Sequence, residues 1–294
     1  MSKPKQAILI MAHNNLWTLK RIIELLDSKY FDIFVHLDKK SNLSEKDLTG
    51  ICQYSTINVI KKVDIGWADY TQVEAELLLL KEATENKYSY YHLISGNDMP
   101  IKRAKEIYDY FEKSGKQFLH FSAKKLPKSK ENWIKYYHPF MRKLRNNTFY
   151  ILLDKIYEFF QKLFGINRLK NKSIQFMTGA NWFSITDEFA KFVLSKEKEI
   201  KEMYQNTRSS DEIFMQTILY NSNFKEELYN KDFDDNYDAC KRLIIWNDVV
   251  PHVFTMNDYQ IIKESNCFFA RKFDEKIDKK IIEKIYNELK KERK

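Results

Sequence analysis

The stretch "QAILIMAHNNLWTLKRIIELLDSKYFDIFVHLDKK", residues 6–40, decides the fold class. Its first apolar run, "AILIMA", is short and unbroken, as in a strand buried on both faces. Apolar residues then recur at 16, 19, 22, 23, 25 and 26, the spacing of a helix with one apolar face. A second apolar run, "FDIFVHL", follows the helix. We therefore predict a strand–helix–strand unit.

The same alternation continues to residue 125. It predicts three more strands, in "STINVI", "YSYYHLISGNDMPI" and "KQFLHFSA", separated by helices in "YTQVEAELLLLKEATEN" and "RAKEIYDYFEKSG". The predicted class is α/β, with a mostly parallel central sheet flanked by helices. Ligands bind such sheets outside the carboxyl ends of the strands. The polar groups expected there are His13-Asn14-Asn15, Asp38-Lys39-Lys40 and Ser95-Gly96-Asn97-Asp98.

Net charge and sequence motifs indicate which classes of binding partner to expect. The chain has 294 residues and a formal charge of +9, which favours anionic partners such as nucleotide phosphates. The basic residues are dispersed and no nucleic-acid motif occurs, so we expect no nucleic-acid partner. No GxGxxG or GxxxxGK[ST] occurs, so dinucleotide and P-loop binding are disfavoured. Asp38 is placed to accept from a ribose hydroxyl or a base N–H, or simply to turn the chain.

The cysteines and the N-terminal residues indicate the cellular compartment to expect. Cys52, Cys240 and Cys267 are odd in number, far apart and without metal-ligand spacing. This pattern is typical of a reduced, intracellular protein. The apolar run from Ala7 to Ala12 is too short for a signal peptide or a membrane span. We expect a cytoplasmic protein.

Residues 140–172 break the alternation. Between 141 and 172 there are eight Lys or Arg residues against two acids. The apolar residues at 149, 152, 153, 156, 159, 160, 163 and 164 fall on one helical face. A basic amphipathic helix of this kind lies at an anionic membrane surface, at the inner face of the membrane here, or packs on its own domain. The sequence leaves both interpretations open.

A pair of carboxylates raises a second question. In "TRSSDEIFMQTILYNS", residues 207–222, Asp211 and Glu212 stand between a polar turn and an apolar run with helical spacing. Ser209 or Ser210 is placed to cap a helix, which puts both acids in its first turn, where the helix dipole favours negative charge. On position alone, Glu212 is either a helix-start residue or a catalytic base.

Eight stretches, in order, resemble the core-2/I-branching N-acetylglucosaminyltransferase family, which also contains the peptide O-xylosyltransferases. They run from residue 8 to residue 274, and are "ILIMAHN", "FVHLDKK", "IGWADYTQVEAELLLLKEA", "YYHLISGNDMPIK", "TGANWFSIT", "SSDEIFMQTIL", "RLIIW" and "FFARKFD". The resemblance implies a GT-A-type glycosyltransferase fold with a helical insertion and a C-terminal helix. It also implies inverting transfer of a sugar from a UDP-sugar to an acceptor hydroxyl, without a metal or other cofactor.

The resemblance also assigns roles to single residues. Glu212 matches the family's catalytic base, which takes the proton of the acceptor hydroxyl. Lys272, with Arg271 beside it, matches the basic side chains that replace a metal at the diphosphate. A second family Arg has no clear match, and His252 is a candidate substitute. Both cations could instead form a solvated pair ahead of the acidic "FDEKID".

Further matches lie on the two sides of the expected cleft. On the donor side, Asn181 approaches the sugar and Trp67 resembles the loop beside the uracil, while His13 and Asp38 lie at strand ends. On the acceptor side we place Asp98, Trp182 and Trp246, since Trp faces stack on sugar rings. Trp67 and Trp182 could equally be core residues. Only one Asp occurs in "SGNDMP", so no Asp-x-Asp metal motif stands there.

The complete prediction is one glycosyltransferase domain over 1–294. Within it we distinguish a nucleotide-binding half, 1–125, a basic amphipathic insertion, 140–172, and an acceptor and catalytic half, 173–294. The donor sugar expected is GlcNAc or xylose, and the acceptor a glycan or lipid-linked saccharide of a bacterial surface polysaccharide. The alternatives are a non-catalytic sugar- or nucleotide-binding protein of the same fold, or a metal-dependent retaining transferase.

Overall fold

The structure, a computed structural model, describes residues 4–144, 147–170, 173–248 and 250–291. The strands in these ranges are β1 (Gln6–Ala12), β2 (Phe31–Leu37), β3 (Ile57–Ile60), β4 (Tyr90–Ser95), β5 (Asp98–Pro100), β6 (Phe118–Leu119), β7 (Phe183–Thr186), β8 (Arg242–Ile244), β9 (Trp246–Asn247), β10 (Val250–Pro251) and β11 (Phe269–Arg271). The first unit, β1 to β2 with a helix between them, confirms the strand–helix–strand prediction.

Helices connect most of these strands. The α-helices are α1 (Leu16–Leu26), α2 (Thr71–Thr84), α3 (Ala104–Ser114), α4 (Lys128–Lys135), α5 (Met141–Leu144), α6 (Thr148–Leu163), α7 (Asp187–Ser195), α8 (Glu197–Tyr204), α9 (Phe214–Tyr220), α10 (Tyr259–Glu264) and α11 (Lys279–Lys291). Short 3₁₀ turns span Glu45–Leu48, Ser210–Glu212, Asn223–Glu227, Tyr237–Cys240 and Met256–Asp258. The predicted insertion and C-terminal helix correspond to α5–α6 and α11.

The central sheet has the strand order β3-β2-β1-β4-β7-β6. β1 runs parallel to β2 and β4, and β2 runs parallel to β3. β7 is antiparallel to both of its neighbours. The prediction of a mostly parallel sheet flanked by helices is therefore confirmed.

Two predicted strands differ from the structure. The stretch 88–101 forms two strands, because the chain turns at Gly96-Asn97 and β5 joins a separate sheet with order β5-β11-β8. The predicted strand in "KQFLHFSA" is only the two residues of β6. Apolar content identified both segments as buried, but periodicity could not show where pairing with a partner strand ends.

Helices cover both faces of the central sheet. Along β1, Ile8 and Ile10 join the core cluster that includes residues of α1, α3 and α11. Ala7 and Leu9 point the other way and join the cluster with residues of α2, α7 and α9. Successive strand residues face opposite sides, and burying each large aliphatic side chain contributes about 1.5–3 kcal/mol. The unbroken apolar run of β1 follows from its position between two cores.

Both predicted halves contribute to the same sheets. β7, from the half 173–294, inserts into the central sheet beside β4, and β11 pairs with β5 from the half 1–125. The assignment of one half to the nucleotide and the other to the acceptor stays a prediction.

Within the segment 140–172, residues 145, 146, 171 and 172 lie outside the described residues. The expected helix is present as α6, with Asn147 at its N-cap accepting from the backbone N–H of Tyr150. Its apolar face does not pack on the domain: Phe149, Leu163 and Phe164 are all more than 60% exposed. α6 does pack on its own domain, but through Asp154 and Gln161 and not through its apolar face. No helix of the described ranges is long and apolar enough to cross a bilayer.

Candidate active site

The carboxyl ends of β1, β2 and β4 open into a cleft of about 570 Å³. Its lining includes His13 after β1, Asp38 after β2 and Ser95 at the end of β4. This is the edge at which a parallel sheet is expected to bind ligands. Six predicted donor, acceptor or catalytic residues meet there in addition to His13, namely Asp38, Trp67, Asn181, Trp182, Glu212 and Arg271.

One end of the cleft suits a nucleoside. Asp38 is buried, and its Oδ1 accepts from the backbone N–H groups of Lys40, at 3.1 Å, and Ile65, at 3.3 Å. These bonds fix the carboxylate at the strand end while Oδ2 lies 3.7 Å from the Lys40 ammonium. Trp67 is 60% exposed, so its ring is available for stacking and is not a core residue.

Three cations lie near enough to His13 to act on its protonation. Removal from water is the largest cause lowering the pKa of His13, while Asp38 opposes it and the charges of Lys272, Arg271 and Lys40 lower it further. Three cations therefore act on the same ring. A site with this balance of charge keeps His13 neutral at physiological pH and attracts an anion.

Arg271 is fixed from two sides. Its Nη1 donates to Asp98 Oδ1 and to Ser95 Oγ, both at 2.7 Å, and its guanidinium lies 4.6 Å from the centre of the Trp182 ring. Asp98 is 3% exposed, and its Oδ2 accepts from the Ser95 backbone N–H at 2.6 Å. The structure thus makes Asp98 the partner of Arg271, and its predicted acceptor contact stays a prediction.

Lys272 and His252 are neighbours through the backbone. The Lys272 N–H donates to the His252 carbonyl at 3.2 Å. The His252 ring is already engaged, with Nε2 3.0 Å from Asp258 Oδ2 and Nδ1 3.2 Å from the Asn247 amide nitrogen. His252 is therefore held as part of a polar loop network, and its role at a diphosphate stays a prediction.

The acidic pair lies in a 3₁₀ turn, Ser210–Glu212, ahead of α9 and not within its first turn. Ser209 occupies the N-cap position with a left-handed backbone, φ 46°, but its side chain makes no capping bond. The predicted cap is wrong, because backbone contacts hold the turn instead. Ser209 N–H donates to the Ala68 carbonyl at 2.8 Å, and Gly179 N–H donates to the Glu212 carbonyl at 2.9 Å.

Gly179 permits that close approach. A Cβ at this position would lie 1.8 Å from the His120 carbonyl oxygen, a distance no side chain could accept. The "TGANWF" stretch therefore passes directly between β6 and the acidic turn. This passage brings Asn181 and Trp182 to the cleft.

The two adjacent carboxylates have opposite environments. Asp211 is 7% exposed and its Oδ2 accepts from the Gln72 amide at 2.9 Å. The Glu212 side chain is 40% exposed and its Oε2 lies 2.8 Å from the Lys130 ammonium. Among the described residues no hydrogen bond reaches Glu212 Oε1. Glu212 therefore presents one free oxygen to the cleft, and Asp211 braces the turn from behind.

Burial alters the protonation of the acids behind the turn. Burial, and after it the negative charge of Glu212, raise the pKa of Asp211 to about 7. Burial also raises the pKa of Glu76 well above its usual range. The charge of Asp211 raises this pKa further, and a hydrogen bond with the Asn181 side chain lowers it. These two acids share a water-excluded site, so both cannot ionise without cost.

Replacing Asp211 should change how stability depends on pH. The folded pKa of about 7 exceeds the unfolded value of about 3.9, so the native state holds a proton that the unfolded chain releases. This contribution to stability is fully present below pH 4 and is lost as pH rises through 7. The unmodified protein loses this contribution between pH 4 and pH 7, and Asp211→Asn has none to lose. The free energy of unfolding of Asp211→Asn minus that of the unmodified protein should therefore rise by roughly 2–4 kcal/mol across that window.

Urea unfolding at a series of pH values measures this difference. Asp232→Asn, a change at an exposed acid, is the control and should leave the pH profile unaltered. A constant difference between Asp211→Asn and the unmodified protein from pH 4 to pH 7 would contradict the assignment.

Trp246 and Tyr237 form an aromatic group near Glu212, outside the residues that line the cleft. Trp246, in the β9–β10 hairpin, is 44% exposed and its ring centre lies 6.3 Å from that of Tyr237. Tyr237 stacks on the buried His120 ring at 4.0 Å. Burial is the largest cause raising the pKa of Tyr237, and the charge of Glu212 contributes. The predicted acceptor residue Trp246 thus belongs to the surface next to the acidic turn.

Several residues of the site were not predicted from the sequence. They are Asp64, Gln72, Lys130, Arg142 and Tyr237. Lys40, by contrast, was expected at the strand end with Asp38, and it does line the cleft. Lys130 and Arg142 come from segments with no motif, and only the folded chain brings them to the cleft. Among the described residues, no group of three His, Cys, Asp or Glu side chains is arranged to hold a metal ion.

Comparisons with known proteins find relatives by sequence and by structure. Xylosyltransferase 2 of Rattus norvegicus is 22% identical over 282 residues, 87% of this chain and 30% of that protein. Xylosyltransferase 2 of Pan troglodytes is 21% identical over 295 residues, 91% of this chain and 32% of that protein. The chain therefore spans about a third of the length of these relatives. The crystal structure of the apo-form glycosyltransferase GlyE of Streptococcus pneumoniae TIGR4 aligns with a TM-score of 0.38 at 10% identity, over 76% of this chain and 44% of that one.

The family model described as Core-2/I-Branching enzyme matches residues 7–291. Apart from Gln6 at the start of β1, this range covers all the strands and helices given above, and it contains each residue of the cleft. The mostly parallel sheet with flanking helices agrees with the GT-A-type fold that the sequence resemblance implies. The chain belongs to the Core-2/I-Branching enzyme family.

Proposed function

We propose that the protein is an inverting glycosyltransferase that moves a sugar from a UDP-sugar to an acceptor hydroxyl, with Glu212 as the base. The observation that carries the proposal is the partly exposed carboxylate of Glu212, which lies in the same cleft as Asp38, Trp67 and Arg271. A nucleotide donor needs a nucleoside contact and a cationic diphosphate contact. An acceptor needs a base on the opposite side of the sugar.

The donor would lie along the cleft from the nucleoside end to the cations. Asp38 would accept from a ribose or base donor group and Trp67 would stack on the base. Arg271 and Lys272 would neutralise the diphosphate, because Asp98 and Trp182 hold the guanidinium in place before the donor arrives. Asp98, the only acid of "SGNDMP", is already paired with Arg271. These contacts support diphosphate neutralisation by side chains without a metal.

The transfer then needs one base. The acceptor O–H gives its proton to Glu212 as its oxygen attacks C1 of the sugar. The bond from C1 to the phosphate oxygen breaks with its electron pair, and UDP leaves as an anion. A single displacement of this kind inverts the configuration at C1. Lys130 holds Glu212 Oε2, which leaves Oε1 to meet the acceptor.

The donor sugar we propose is xylose or GlcNAc. Two relatives are named xylosyltransferase 2, which supports the pentose, and the family description supports the branching enzymes that use the amino sugar. The acceptor would be a glycan or a lipid-linked saccharide. Its place in a bacterial surface polysaccharide stays a prediction.

A UDP-release screen over a panel of UDP-sugars, with EDTA present, tests donor and metal dependence together. Release with one sugar in EDTA supports the proposal. Activity that is lost with EDTA and restored by Mn²⁺ would overturn the metal-independent part. UDP binding without release for any sugar and acceptor would favour the non-catalytic binding protein.

Lys272→Ala should raise the donor KM and lower kcat. A lost hydrogen bond to a charged group costs about 1.5–3 kcal/mol, so kcat/KM should fall roughly 10- to 100-fold. Steady-state kinetics in EDTA measure the change. Lys276→Ala removes an exposed lysine four residues along and is the matched control. Equal kinetics for the two variants would argue that Lys272 is a solvated surface cation.

A further inference from the structure

α6 turns its polar face toward the domain and its apolar face toward solvent, which is the reverse of an ordinary surface helix. Its polar residues Asp154, Glu158 and Gln161 share one face, since they are spaced by four and three positions. That face points inward: Asp154 Oδ2 lies 2.9 Å from His138 Nδ1, and Gln161 exchanges hydrogen bonds with the Tyr137 backbone at 2.8 and 2.9 Å. α6 is therefore attached to the domain by polar contacts.

The apolar face of α6 and the residue that follows it point to solvent. The most exposed large side chains are 48% to 75% accessible, and they are Phe149, Leu152, Phe159, Phe160, Leu163 and Phe164. Scattered apolar residues on a surface need no explanation, but a continuous apolar face does. An exposed face of this size marks a site of interaction.

Charge around this face indicates the occupant. Both acids of α6 are turned inward: Asp154 is buried and the Glu158 side chain, 20% exposed, pairs with Lys162 at 2.7 Å. Lys143 and Lys155 are exposed beside the apolar side chains. A symmetric pair of chains meeting through this face would bring like charges together. An anionic lipid surface instead offers phosphates to the lysines and an acyl boundary to the aromatic rings.

The length of α6 fixes how it would lie. Its 16 residues span about 24 Å, less than the roughly 30 Å of bilayer hydrocarbon. The helix would therefore rest in the plane of the interface. Just before α6, Arg142 lines the cleft and pairs with the carboxylate of Asp64. A surface that binds α6 is thus close to the cleft opening.

We propose that α6 is an interfacial anchor that binds the chain to an anionic lipid bilayer, with the cleft beside the membrane surface. Binding needs both parts of the face: the aromatic side chains enter the acyl boundary and the lysines meet the lipid phosphates. The proposal goes beyond sugar transfer and does not depend on which sugar is moved.

Vesicle flotation tests the proposal. Vesicles of phosphatidylglycerol and phosphatidylcholine are compared with phosphatidylcholine alone, at low and at high salt. We expect flotation with the anionic vesicles, weakened by salt. The variant Phe159→Ser/Phe164→Ser should lose at least about tenfold in affinity for the anionic vesicles. Lys143→Gln and Lys155→Gln should each weaken binding about fivefold.

Ile261→Ser/Ile277→Ser is the matched control, since these side chains are 49% and 59% exposed on other parts of the surface. It should float as the unmodified protein does. Unmodified protein that stays in the soluble fraction with anionic vesicles would overturn the proposal. So would a concentration-dependent dimer in sedimentation that Phe159→Ser/Phe164→Ser abolishes. UDP release on a soluble acceptor, measured on the same variants, separates loss of membrane binding from loss of transfer.

Discussion

Glu212→Gln is expected to lower kcat by about 10²- to 10⁴-fold, the contribution of a positioned general base. The amide keeps the shape of the side chain and can still accept from the Lys130 ammonium through its oxygen. It cannot take the proton of an acceptor hydroxyl. UDP binding, measured by calorimetry, should persist, because the nucleoside and diphosphate contacts proposed above lie on Asp38, Trp67 and Arg271.

Two further variants separate the base from its surroundings. Glu131→Gln changes an acid of similar exposure, 44%, next to Lys130 on α4, and should leave kcat unaltered. Lys130→Met removes the cation that holds Glu212 Oε2 but keeps the carboxylate, so its loss of kcat should be smaller than that of Glu212→Gln. A loss of kcat of no more than about tenfold in Glu212→Gln would rule out Glu212 as the base.

The fold was predictable where periodicity and buried runs coincide. The unit from Gln6 to Leu37 was recovered because its strands are buried on both faces and its helix has a clear apolar stripe. The acidic turn was not recovered. The spacing from Ile213 onward is helical, but the acids lie in a 3₁₀ turn that starts after the left-handed Ser209, and Ile213 separates this turn from α9. Local pattern cannot show that a contact with Ala68 determines this geometry.

The candidate site was predictable where its residues follow strands. His13 and Asp38 occupy strand ends, so the sheet rule places them in the cleft. Lys130 was not predictable, since its contact with Glu212 joins positions 82 residues apart and α4 carries no motif. The orientation of α6 was open for the same reason. Its polar stripe looks like a solvated face in the sequence, and only the contacts of Asp154 and Gln161 reveal that it faces inward.

Arg271→Met should destabilise the protein by about 3–5 kcal/mol, the cost of removing one partner of a buried ion pair. Asp98 would remain 3% exposed and charged, with only the Ser95 backbone N–H as a donor among the described contacts. The side-chain exposures of the pair, 19% for Arg271 and 4% for Asp98, place it well inside the surface, where water screens little. Urea unfolding of the single variants measures the cost.

The double variant Asp98→Asn/Arg271→Met separates the contribution of the pair to stability from its contribution to donor binding. It leaves no unpaired charge, so we expect it to recover about 0.5–3 kcal/mol relative to the sum of the two single changes. It should not recover donor affinity, because it lacks the cation that we propose meets the diphosphate. Recovery of both stability and UDP affinity would mean that Arg271 serves only to neutralise Asp98. If the double variant regains stability but still binds UDP weakly, the result supports a role for Arg271 in donor binding, with Asp98 holding its guanidinium in place.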